Sequence, residues 1–123
     1  MTAVTKFEDL IAWQEARKLV KMIYKLTSDG LFSKDFGLKD QTRRAVTSIP
    51  INIAEGTGSE NDKEFKRYLY ISRKSLFETL ACLKIINFIY RKENKIIEEQ
   101  LNEVGKLLNG LIKKVKSDLI ANG

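Results

Sequence analysis

Gln41, Arg44, Ser48, Asn52 and Glu55 recur at steps of three, four, four and three residues. This is the spacing of one helix face, and here every member of the face is polar. Such a stripe must meet water or find partners, because an unpaired buried polar group costs roughly 1–3 kcal/mol. The next segment offers partners. If it folds back antiparallel through the turn at Gly56–Asn61, opposed residues have numbers with a nearly constant sum. Arg44 with Glu78 and Glu55 with Arg67 share one sum, and Ser48 with Ser75 differs from it by one. One reading is a polar network that sets register between two helices, with little net gain in stability. The other is a pocket in which Arg44, Glu55, Arg67 and Glu78 hold a ligand or run a reaction. The structural reading is preferred, because no metal-ligand set, nucleophile–base pair or phosphate-cradling loop accompanies the four charges. No catalytic residue is assigned.

Charge is distributed unevenly. Between Asn61 and Arg91 seven basic side chains stand against three acidic ones, so this stretch carries +4 of the chain's formal +6. Lys63, Lys66, Tyr70, Arg73 and Lys74 share one side of a helix, and Lys113, Lys114 and Lys116 form a second cluster. A basic face holding one aromatic ring suits contact with phosphates and stacking on a base. The plain alternative is a solvated face of ordinary lysines. No known RNA-binding motif or helix-turn-helix spacing is present. A membrane-surface role fits poorly, since the basic residues lie within core-forming helices.

Other chemistry is excluded by composition. The chain has no histidine and one cysteine, Cys82, so a Ser-His-Asp or Cys-His site cannot be built and zinc lacks ligands. A lone cysteine forms no intrachain disulfide, which fits a reducing compartment and a small inert core residue. Gly56-Thr57-Gly58 lacks the lysine and the strand–loop–helix setting of a phosphate loop. No apolar run reaches the roughly 20 residues that span a bilayer, and no signal peptide is visible. The expectation is a cytoplasmic protein without metal, cofactor or membrane partner.

The elements that position these residues follow from periodicity. With 123 residues, seven glycines and one proline, the chain is one domain with long stretches free to be helical. Apolar residues at helical spacing predict four helices over about 6–28, 36–56, 62–87 and 92–119, forming an antiparallel up-down four-helix bundle, all-α, over 1–123. Thr5 to Glu8 reads as a capping box for the first helix, Asn61 to Glu64 starts the third, and Asn87 is a candidate for its left-handed close. Pro50 predicts a kink between Val46 and Pro50. Phe65, Tyr68, Leu69, Ser72, Leu76, Leu80, Leu83 and Ile86 form the expected inner stripe of the third helix. That of the fourth runs from Ile96 and Ile97 to Leu119. Trp13 reads as a core or interface anchor.

Several runs carry a family resemblance. These are Phe7-Glu8-Asp9-Leu10 with Trp13-Gln14, Gly37-Leu38, Gln41-Thr42-Arg43-Arg44-Ala45, Ser48-Ile49-Pro50, and Asn52-Ile53-Ala54-Glu55-Gly56. To them is added Phe65 through Leu80, with Arg67, Ser75 and Glu78. Together they resemble the four-helix-bundle proteins encoded within intervening sequences of 23S ribosomal RNA genes, over nearly the whole chain. The resemblance implies a four-helix bundle, a ring-like homopentamer and no enzymatic activity. Relatives that accompany diversity-generating retroelements imply contact with nucleic acid and a reverse transcriptase through basic surfaces. Lys74 and Asn87 stand where that family often has glycine.

The function expected from residues and resemblance together is a non-enzymatic, self-assembling bundle that binds RNA or another nucleic acid through its basic faces. The alternative is an oligomeric scaffold for a protein partner, with no nucleic-acid role.

Overall fold

The structure, a computed structural model, describes residues 6–122. Four helices carry it: α1 (Ile11–Ser28), α2 (Phe36–Thr57), α3 (Asp62–Tyr90) and α4 (Lys95–Asn122), with short 3-10 turns at Phe7–Asp9 and Leu31–Lys34. Helix α2 packs against α1 and α3, and α4 against α3 and α1; among the described residues neither diagonal pair brings its backbones close together. The helices therefore stand at the corners of a square in chain order, an up-down bundle.

Each boundary has a local cause. The Asp35 carboxylate caps α2 by accepting from the Leu38 amide, and the Asn61 side chain caps α3 by accepting from the Glu64 amide at 2.9 Å. Both satisfy amides that a helix start leaves open. The first helix begins later than expected, at Ile11. A 3-10 turn precedes it and Leu10 is extended, with no side-chain cap. Thr5 of the expected capping box lies outside the described residues.

The end of α3 also differs from expectation. Asn87 stays helical, and the close falls at Arg91, which is left-handed at φ 50°. The amides of Arg91 and Lys92 both donate to the Asn87 carbonyl. The Asn87 side chain instead accepts from the Asn94 amide nitrogen at 2.7 Å, joining α3 to the loop before α4. Helix α4 consequently starts at Lys95 and runs through Asn122.

Leu19, Ile23, Val46, Ile49, Ile53, Leu69, Leu83, Val104, Leu108 and Val115 are fully buried and form the centre of the core. Ile96 is 70% exposed; of the partly buried stripe residues, Leu80, Leu111 and Leu119 pack against the core, whereas Tyr68 lies outside it. Thr79 and Cys82 are buried on α3 as well. The Phe65 ring of α3 packs directly on Gly56 of α2, where a Cβ would sit 2.7 Å from a ring carbon. No larger residue fits there.

Helix α2 runs unbroken through Pro50. Proline withholds the amide that would bond the Val46 carbonyl; nearby, the fully buried Ser72 of α3 donates to the Ile49 carbonyl at 2.8 Å and ties the two helices together.

Candidate nucleic-acid interface

The polar stripe of α2 is only partly a network. Ser75 donates to the Ser48 hydroxyl at 2.8 Å, as the antiparallel register requires, and the Asn52 amide donates to both the Ser48 hydroxyl and its carbonyl. The two expected ion pairs do not form. Arg67 is held by its own helix, 3.2 Å from Glu64, and lies over the Tyr68 ring. Glu64 accordingly raises the Arg67 pKa. Gln41, Arg44, Glu55 and Glu78 are exposed. Exposed charges gain little from pairing across helices, so a neighbour three residues away wins. Arg44, Glu55, Arg67 and Glu78 thus make no ion pair with one another among the described residues.

Arg43, which the stripe omits, makes the longer-range connection. It donates to the Thr27 hydroxyl at 2.8 Å and the Ser28 hydroxyl at 3.0 Å, and its guanidinium covers the Tyr24 ring at 4.2 Å. This clasps α1 to α2.

The basic residues gather on the seam between α3 and α4. Tyr70 lies at the centre, with the Arg73 guanidinium 4.7 Å from its ring centroid and the Lys116 ammonium at 5.4 Å. Lys116 beside the phenol lowers the Tyr70 pKa, and the charges of Arg73 and Lys66 add to the effect. Arg73 also donates to the Asn109 side chain at 3.1 Å, which fixes it between the two helices. The geometry thus unites Lys66, Tyr70, Arg73 and Lys116 from clusters that are far apart in sequence.

Lys63, Lys74 and Lys113 are exposed beside this seam. Lys114 is not part of it. Consecutive helical residues are about 100° apart, so Lys114 points well away from Lys116, and its nearest carboxylate is Asp118 at 3.9 Å.

Asn102, Lys106 and Asn109 were not among the candidates from sequence, yet they border the same seam. A signal existed: Asn102, Lys106, Asn109, Lys113 and Lys116 recur at steps of four, three, four and three. That is a polar helix face, masked in a charge count by its two asparagines.

Among the described residues no group of His, Cys, Asp or Glu could hold a metal ion, and no helix is long and apolar enough to cross a membrane. Comparison with known proteins bears on the fold and the polar stripe together. The family model of the 23S rRNA-intervening sequence protein matches residues 8–110. The chain belongs to this family. The match takes in the Ser48–Ser75 contact and most of the basic seam, but stops short of Lys113 and Lys116. A solved structure of similar shape is that of a protein of unknown function from the S23 ribosomal protein family, from Bacteroides thetaiotaomicron. It is 25% identical, with a TM-score of 0.75, over 84% of this chain and 99% of that one. No curated protein matches the chain.

Proposed function

We propose that this member of the 23S rRNA-intervening sequence protein family binds RNA electrostatically through the α3–α4 seam, and does so as a homo-oligomer without catalysing a reaction. The convergence of Lys66, Arg73 and Lys116 around Tyr70 carries the reading. Three cations brought to one ring from two helices give a site for successive phosphates, and the flanking Lys63, Lys74 and Lys113 lengthen it. The ribosomal family of the solved relative is in keeping with an RNA partner.

Binding of a structured RNA measured across a salt series tests this. Affinity is expected to fall steeply with salt as counterions are released. No binding at low salt, or affinity that stays flat, would overturn it.

Self-assembly draws on a separate observation. Ile85, Phe88 and Ile89 on α3 are 48%, 86% and 54% exposed, an apolar stripe of the kind that another protein surface covers. Light scattering is expected to give a mass several times that of the 14.1 kDa chain, and a monomer would sink this part. An oligomer indifferent to RNA would favour the second reading, a scaffold for a protein partner docked on the same stripe.

A further inference from the structure

The basic seam has an apolar hollow beside it, of about 310 Å³, between α3 and α4. Gly105 lines it opposite Leu76, whose methyl would stand 3.2 Å from a Cβ at that position, so the two helices meet closely there. Leu80 and Leu101 complete the floor. The rim is of a different character. Arg73 and Lys106 put a cation on each helix, Asn102 and Asn109 add amides, and the Phe77 ring stands at the edge with 63% of its surface exposed.

An empty apolar floor, an exposed aromatic ring, two amides and flanking cations match one kind of ligand group: a planar, hydrogen-bonding ring attached to a phosphate chain. Resting on the RNA-binding reading above, we propose that this hollow receives an unstacked base of single-stranded RNA whose phosphates lie on the Lys66, Arg73 and Lys116 cluster. The base sits on the apolar floor against Phe77, and the amides of Asn102 and Asn109 meet its polar edge. Duplex RNA offers the same phosphates, but its bases are stacked and paired, so it fills the seam and leaves the hollow empty. The inference is therefore a preference for single strands, which the charge cluster alone does not give.

The test compares an oligoadenylate with an RNA duplex carrying the same number of phosphates, titrated into the full chain at several salt concentrations. Native protein is expected to bind the single strand more tightly. Gly105→Leu fills the hollow and removes no charge, so it is expected to weaken oligoadenylate binding about tenfold, on the scale of one lost base stack. Its salt slope and its affinity for duplex stay unchanged. Gly110→Leu is the matched control, since that glycine lies on the same helix with nothing within 4 Å of a Cβ, and it is expected to change neither ligand. Phe77→Ala, at an exposed position, repeats the loss without risk to the floor packing if Gly105→Leu proves unstable in thermal melts. Equal binding of single strand and duplex by the native protein, or unchanged oligoadenylate affinity in Gly105→Leu and Phe77→Ala, would overturn the base site and leave the electrostatic reading standing. Failure of the native protein to bind either RNA at low salt would overturn that reading itself, and the base site with it.

Discussion

Cys82 is 2% exposed, and burial pushes its thiol pKa above the ordinary value. A thiol without thiolate character is a poor nucleophile. The folded protein is therefore expected to resist an alkylating reagent at neutral pH, with rapid labelling only in denaturant; fast labelling of the native chain would refute this burial. Two tyrosines are shifted in opposite directions. Cations lower Tyr70, Lys116 foremost, whereas burial raises Tyr90, reinforced by its hydrogen bond to Asp35 at 3.0 Å. In a spectrophotometric titration Tyr70→Phe should remove the earliest phenol to ionise and Tyr90→Phe the latest. The stability consequences also oppose. A lowered folded-state value gives Tyr70 a stabilising contribution above the unfolded tyrosine pKa of about 10, lost as pH falls through the folded value. A raised value gives Tyr90 a contribution present below about pH 10 and lost as pH climbs through its folded value. At the same scale, Arg91 occupies a left-handed conformation that favours glycine. Arg91→Gly should stabilise the chain by about 1 kcal/mol in denaturant unfolding.

At the scale of elements, the α2–α3 pair is where sequence and structure can be compared most closely. The constant-sum register located the Ser48–Ser75 contact because hydroxyls reach only their immediate neighbours. It did not locate ion pairs, because long charged side chains in water choose among many partners, and Glu64 lay nearer to Arg67 than Glu55 did. A double-mutant cycle should accordingly find coupling of about 0.5–1 kcal/mol between Ser48 and Ser75, and no measurable coupling between Glu55 and Arg67. Four helices were legible from apolar spacing, since Leu19, Ile53, Leu69 and Leu108 all repeat with the helix. Their ends were less so. Left-handed Arg91 breaks the rule that glycine or asparagine closes a helix, and the cap at Leu10 uses no side chain. The charge cluster was half visible: sequence gathered Lys66, Tyr70 and Arg73 on one helix, but only the packing of α4 brings Lys116 to them and turns Lys114 away. Phe65 and Tyr68 leave no room for a Cβ at Gly56, so Gly56→Ala should cost about 1–3 kcal/mol as Phe65 is forced aside.

For the whole molecule, electrostatic binding has a countable signature. Each phosphate contact to single-stranded nucleic acid contributes about 0.7 to the slope of log affinity against log salt. Replacing Lys66, Arg73 and Lys116 together by glutamine should therefore lower that slope by about 2. A triple variant with an unchanged slope would move RNA off this seam. The square arrangement of helices has a different consequence, for the path by which the chain reaches its fold. Three of the four packed edges join helices adjacent in sequence, and only the α1–α4 edge, with Gln100 donating to the Glu15 carbonyl at 2.9 Å, links distant ones. Contacts that are mostly local are quick to find, which sets folding of such bundles in the microsecond-to-millisecond range. The α1–α4 edge closes the longest loop and is the natural last step. Weakening it should chiefly speed unfolding, leaving the rate of assembly from the open chain nearly untouched.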